Sequence, residues 1–175
     1  MVVLKEIEPV CIMDAIPNKM CFYIMDDEKF VGEIEMNWNN YGELTPVIKI
    51  IPEYRRKGIG FRMFKETWDI INKITPINTI HASWNNDDEF RNFGDGQSTN
   101  FEVYKNLVQK GTPINESVFA TPTGRWASRL GLSNYRMIAD TVDYVNVDFY
   151  KDEMVTEGAV DADYAKAIKA IEDLE

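Results

Sequence analysis

Apolar and polar positions change period along this chain, and each change marks an element. In the first fifty residues the period is close to two. VVLKEIEPVCIM and MCFYIM are rich in β-branched and aromatic residues, AIPNK makes a turn between them, and DDEK is a tight polar corner. KFVGEIEMNW places Val31, Ile34, Met36 and Trp38 among polar neighbours, NNYGE turns again, and LTPVIKII reads as a buried strand. Proline cannot donate to a ladder, so Pro46 belongs early in that strand or on an irregularity. The prediction is an antiparallel meander of three or four strands.

The period then lengthens. From Gly60 onward Phe61, Phe64, Trp68 and Ile71 form one helical stripe, with Pro76 beyond its end. INTIHASW follows as a short strand, so strand, helix and strand make a βαβ unit with two parallel strands. NNDDEFRNFGDGQSTN is polar, and NFEVYKNLVQKG predicts a helix stopping at Gly111. TPTGRWASRLGL offers Thr121 as N-cap, Pro122 at the first helical position and Gly131 as the stop. YRMIADTVDYVNVDFYKD supplies closing strands. In the tail, Tyr164, Ile168 and Ile171 at helical spacing predict an amphipathic helix.

Composition narrows the class. The chain has 175 residues, 45% hydrophobic and 27% charged, which fits one globular domain with a core. We divide it into a domain over residues 1–150 and an acidic C-terminal extension over 151–175. No apolar run is long enough to span a bilayer, and MVVLKEIEPV has acids where a secretory signal needs an apolar centre, so the expected setting is cytoplasmic, without membrane partners. The two cysteines, Cys11 and Cys21, are expected as reduced thiols, and the single histidine leaves no metal pattern, so no metal is expected. The net charge of −10 and sequence pI near 4.7 argue against nucleic acid as a partner.

Against that acidic background, IKIIPEYRRKGIGFRM puts three basic residues and two glycines on the corner between a strand and a helix. The first N–H groups of a helix lack intrahelical acceptors and carry partial positive charge. Glycine lets the backbone approach an anion closely. Arg55, Arg56 and Lys57 add charge beside it. A G-x-x-x-x-G-K-[ST] loop is absent because Lys57 precedes the glycines, and G-x-G-x-x-G fails at Met63. The pattern that matches is R-x-x-G-x-G, from Arg55 to Gly60.

In these residues the chain resembles the GNAT-type N-acetyltransferase superfamily, whose acetyl-CoA-binding signature is [QR]-x-x-G-x-[GA]. The order of elements from Val2 to about Tyr150, including a later helix ending in RLGL, is similar to that family's layout. The resemblance implies an α/β (α+β) fold with a mixed, mostly antiparallel sheet and a central βαβ acetyl-CoA-binding unit. It implies that the amides of Lys57, Gly58, Ile59, Gly60 and Phe61 cradle the pyrophosphate, with Arg55 and Arg56 beside them. The backbone of Ile48, Lys49 and Ile50 would face the pantetheine arm. The reaction implied is acetyl transfer from acetyl-CoA to a primary amine, of a small molecule or a protein, by direct attack and without a metal.

The family pattern breaks in three places. The region from Val10 to Lys19 is too short for the helices that usually wall the acceptor site, so the N-terminal helical region is shortened, and residues 86–120 form an enlarged connection in its stead. The tyrosine that usually protonates the leaving thiolate is Ala127 here. Ser128, Tyr104 and Tyr135 are candidate substitutes, although a thiol of pKa about 8.5 leaves tolerably without help. The asparagine that contacts the arm falls near Ala120, and Asn85 and Asn86 are either its stand-ins or a polar turn. Candidate bases are Glu33, Glu35 and Glu43, while His81 is read as a packed histidine on a strand buried on both faces. Tyr41, Trp38, Trp84 and Trp126 are aromatic candidates for an acceptor cleft. The alternatives are a binding or regulatory module of the same fold that holds CoA or a partner without turnover, and a structural protein whose C-terminal helix mediates assembly and whose basic loop merely caps a helix; a homodimer is the assembly considered.

Overall fold

Hydrophobic alternation builds one sheet with a dry face and a wet face. The computed structural model describes residues 2–7, 18–85 and 99–151. Among these, the strands are β1 (Val2–Ile7), β2 (Asn18–Asp26), β3 (Lys29–Trp38), β4 (Glu43–Ile50), β5 (Thr79–Asn85), β6 (Asn134–Asp140) and β7 (Tyr144–Tyr150). They form a seven-stranded mixed sheet in the order β1-β2-β3-β4-β5-β7-β6, antiparallel throughout except for β4 beside β5. Helix α1 (Ile59–Ile74) is the crossover between those two parallel strands. Three shorter helices, α2 (Thr99–Gln109), α3 (Ile114–Ala120) and α4 (Pro122–Arg129), precede β6.

The register fixes which side chains share a face. Phe22 opposes Ile34, Ile34 opposes Ile48, Leu44 opposes Ile80, and Ile80 opposes Phe149. These positions join Met63, Phe64, Trp68 and Ile71 of α1, Tyr104 of α2, Val118 of α3 and Ala127 of α4 in one hydrophobic cluster. On the other face, Glu33 opposes Lys49, Asn37 opposes Thr45, and His81 opposes Asp148. That face is polar and half exposed.

Helix α3 is absent from the sequence reading. Its seven residues are too short for periodicity to register, and its start at Pro113 carries no side-chain cap. Thr121 separates it from α4. The Thr121 hydroxyl donates to Val118 O at 2.8 Å, closing α3, and accepts from Gly124 N–H at 3.0 Å, opening α4. Gly131, at φ +82°, stops α4 in the left-handed conformation that suits glycine. The predicted tail helix, the shortened stretch after β1, the polar part of the enlarged connection and Cys11 lie outside the described residues.

Candidate functional site

The parallel pair is where the sheet opens. β4 pairs with β3 from Leu44 to Ile50, yet it meets β5 only at Glu43↔Thr79 and Leu44↔Ile80. Beyond Leu44 the β5-facing edge of β4 has no strand partner among the described residues, while β5 pairs on its other side with β7. The result is a wedge whose apex lies beside Thr45 and His81 and whose mouth faces the end of β4. Pro46, with no N–H to give, sits just past the apex.

The basic glycine corner stands at that mouth. After Ile51, whose N–H is held by Val31 O at 2.9 Å, a 3-10 turn runs from Pro52 to Tyr54. Arg56 (φ +60°) and Gly58 (φ +76°) then reverse the chain into α1. The helix ladder begins with Arg62 N–H donating to Gly58 O at 3.1 Å. The amides of Ile59, Gly60 and Phe61 therefore have no acceptor in their own helix, and Gly58 supplies no side-chain cap. Arg56, Lys57 and Gly58 are exposed. Nothing lies within 4 Å of a Cβ built on Gly58, so this turn faces open space.

The three basic residues have different surroundings. Arg55 Nε donates to Ile50 O at 2.7 Å, which turns it back onto the end of β4 and uses one lone pair of a carbonyl expected to face the arm. Lys57 Nζ lies 5.2 Å from the centre of the Tyr54 ring, and so does Lys29 Nζ. The Tyr54 hydroxyl donates to Asp26 Oδ2 at 3.3 Å. Arg129, from the end of α4, stacks its guanidinium 4.9 Å above the Phe61 ring in the first turn of α1. Sequence reading missed Lys29 and Arg129. The second opens the RLGL stretch, which in sequence reads only as the end of a helix.

The other candidates are dispersed. Glu33 pairs with Lys49 at 3.1 Å, which gives that lysine a partner on the polar face. Glu35 pairs with Lys19 at 2.8 Å and accepts from Asn37. Burial pushes the Glu35 carboxyl up, and those two donors more than offset it, leaving it below the usual carboxylate value. Glu43 accepts from Asn39 Nδ2 at 2.6 Å beside the apex of the wedge. Ile48 packs against the core, and Asn85 ends β5 opposite Tyr144. Tyr135 packs edge-on against Phe119 on β6, two strands removed from β5 and so about 10 Å away. Tyr104 donates to Asp140 Oδ2 at 2.6 Å, and burial holds its phenol well above the ordinary value. Ser128 is exposed on α4, and Ala127 beside it is fully buried. Burial pushes the Cys21 thiol up, which makes it a poor nucleophile. Of the aromatics, Trp84 is core and Trp126 packs on Phe64, while Tyr41 is exposed. Among the described residues no group of three or more His, Cys, Asp and Glu could hold a metal.

His81 differs from its expectation. Its strand is buried on one face only, and its imidazole is 38% exposed on the other. Nδ1 lies 2.6 Å from Asp148 Oδ1, and Asp148 Oδ2 accepts from Arg136 Nη2 at 2.8 Å. Asp148 itself is only 6% exposed. His81 and Asp148 share a cleft of about 330 Å³ with Asn37, Trp38, Asn39, Glu43, Thr45 and Thr79. Asp148 was also missed. The alternation of YVNVDFY, with Val145, Val147 and Phe149 inward, is the signal that places it on the polar face.

No family model and no curated protein sequence matches the chain. Among solved structures it is similar to the N-acetyltransferase PseH of Campylobacter jejuni in complex with acetyl coenzyme A, at 14% identity and TM-score 0.40 over 77% of this chain and 69% of that one. It is similar also to the PaiA N-acetyltransferase of Thermoplasma acidophilum in complex with coenzyme A, at 13% identity and TM-score 0.45 over 75% of this chain and 60% of that one. A third is the spermidine N-acetyltransferase of Vibrio cholerae in complex with CoA and spermine, at 12% identity and TM-score 0.41 over 76% of this chain and 66% of that one. The chain thus spans less than two-thirds of the length of the last two.

Proposed function

We propose that this chain is an acetyl-CoA-dependent N-acetyltransferase of the GNAT type, transferring acetyl to a primary amine by direct attack. One observation carries the reading: a helix N-terminus whose first amides have no acceptor in their own helix, flanked by exposed cations, stands at the mouth of a wedge between two parallel strands. A diphosphate fits the first feature, since unpaired N–H groups and the helix dipole both favour anions. A pantetheine arm, with amides along an otherwise apolar rod, fits the second. Its backbone from phosphate oxygen to sulfur has the bond count of about four residues, hence a reach of roughly 13–14 Å. The stretch of β4 from Ile50 back to Thr45 runs about 17 Å, so such an arm ends close to the apex. An N–H of the open β4 edge is then the candidate donor to the developing oxyanion.

Titration calorimetry with acetyl-CoA tests this directly. The wild-type chain binds with measurable heat. The double variant R56E/K57E, altered only at exposed positions, binds at least about tenfold more weakly, the equivalent of one charge-assisted contact. Absence of binding by the wild type, or equal binding by both, refutes the assignment.

A second reading has one observation in its favour. Ala127, fully buried, stands where the family places the tyrosine that protonates the leaving thiolate. In this reading the chain holds CoA or a partner and does not turn over. Thiol release across a panel of amines separates the two: tight acetyl-CoA binding with no release on any amine selects the module.

A further inference from the structure

Resting on the acetyltransferase reading, we infer that His81, oriented by Asp148, is the general base that takes the proton from the incoming amine in the cleft at the apex of the β4–β5 wedge. Three features of the fold place it there. First, β4 and β5 part immediately after Leu44↔Ile80, and the next residues on the two strands, Thr45 and His81, point to the same polar face. The arm comes from the mouth of the wedge, and the cleft opens on the polar face. An amine entering that cleft meets the apex from the side opposite the helices.

Second, the dyad and the arginine behind it lie side by side on three strands. His81 opposes Asp148, and Asp148 opposes Arg136, so backbone register alone aligns imidazole, carboxylate and guanidinium in a row. A carboxylate at 2.6 Å from Nδ1 fixes the tautomer with the proton on Nδ1, leaving the Nε2 lone pair for an incoming proton. Arg136 occupies the second carboxylate oxygen, and Asp148, 6% exposed, lines the cleft beside His81 and orients its ring.

Third, the carboxylates considered as bases have other occupations. Glu33 is paired to Lys49 and Glu35 to Lys19. Glu43 remains at the cleft, held by Asn39, and there it supplies negative charge that attracts an ammonium group. Among the described residues, the charged groups facing His81 are Asp148 from β7, with Arg136 behind it from β6, and Glu43 from β4.

The amine enters as R–NH₃⁺ and gives one proton to His81 Nε2. Its lone pair forms the C–N bond while the carbonyl π pair moves to oxygen. Collapse of the oxyanion breaks the C–S bond and leaves the pair on sulfur. The surplus N–H proton passes to that sulfur, and His81 returns its own proton to water.

The experiment uses the full chain and three variants, H81Q, D148N and E43Q. A single histidine makes the imidazole signals unambiguous in nuclear magnetic resonance. In H81Q, acetyl-CoA binding by calorimetry stays within about twofold of wild type while kcat/KM for amines falls about 10²–10⁴-fold, the usual contribution of a positioned base. The acidic limb of the wild-type pH–rate profile disappears in H81Q and persists in E43Q. In D148N the ¹⁵N shifts of the imidazole report a changed tautomer, and kcat falls with little change in KM. On wild type, adding an amine to the chain saturated with CoA moves the imidazole signals. H81Q turning over amines at the wild-type rate with the same limb overturns the proposal, as does an imidazole that responds to no amine. Failure of the wild type to bind acetyl-CoA instead overturns the reading on which the proposal rests.

Discussion

Gly58 and Gly60 stand two residues apart and are glycine for different reasons. Gly58 adopts φ +76° in open space, so a side chain there costs only backbone strain. We expect Gly58→Ala to lose about 1–2 kcal/mol in urea unfolding. A Cβ on Gly60 lies 3.1 Å from Ile50 Cδ1 and 3.2 Å from the Trp126 ring, so there the helix start is pressed against strand and neighbouring helix. Gly60→Val overpacks this junction, with an expected loss of about 1–3 kcal/mol and weaker acetyl-CoA binding by calorimetry. Asp140 carries a pH-dependent contribution. Burial pushes its carboxyl up, but hydrogen bonds from Lys105 and Tyr104 more than offset this and leave it below its usual value. A depressed carboxyl adds stability above its unfolded pKa and loses it as pH falls through the folded one. The stability gap between wild type and D140N is therefore largest at neutral pH and closes in acid, as urea melts at both pH values will register. The basic corner was legible because R-x-x-G-x-G is local. The different engagements of Arg55, Lys57 and Arg129 were not: the first two depend on how the turn after β4 is wound, and the third on a ring far away in sequence.

Elements in this chain are specified by their ends as much as by their faces. Thr121 serves two helices at once, and its hydroxyl is fully buried between them. Thr121→Ala removes both contacts, with an expected cost of about 1–2 kcal/mol and reduced helical signal in circular dichroism. The sequence showed this cap for α4, because Thr-Pro is a strong start signal, but hid its second duty in closing α3. The close approach of α3 and α4 is equally concealed. A Cβ on Gly124 lies 2.2 Å from Val118 O, a separation that no side chain can occupy unless the helices part. The strand carrying His81 was also misjudged at this scale. A short apolar-looking run between a helix and a polar segment suggests burial on both faces, whereas the actual sheet has helices on one side among the described residues.

At the scale of the molecule, the wedge divides the sheet into a β1–β4 part and a β5–β7 part that share only two paired positions. What spans the gap on the dry face is aromatic contact between α1 and α4, with Trp126 5.5 Å from Phe64 and 6.4 Å from Phe61 between ring centres. Trp126→Ala weakens this bridge, with an expected loss on the order of 2–3 kcal/mol, below the range for fully buried tryptophan because this ring is half exposed. The open β4 edge gives a further expectation. Amides between Thr45 and Ile50 that face the wedge exchange with solvent faster than those bonded to β3, and acetyl-CoA slows them. Hydrogen-exchange measurements with and without the ligand check this. Uniform protection along β4 in the free chain would contradict the wedge.

The sequence by itself determined the local matters: alternating strands, a helix after the basic glycine corner, the Thr-Pro start of α4 and the glycine that stops it. These follow from periodicity and from backbone preferences that act over a few residues. Only the tertiary structure decided that β4 and β5 part after Leu44, that Asp148 stands opposite His81, and that Arg129 reaches the first turn of α1. Such placements depend on register between strands and on packing between helices far apart in the chain, and neither leaves a trace in any single stretch of residues.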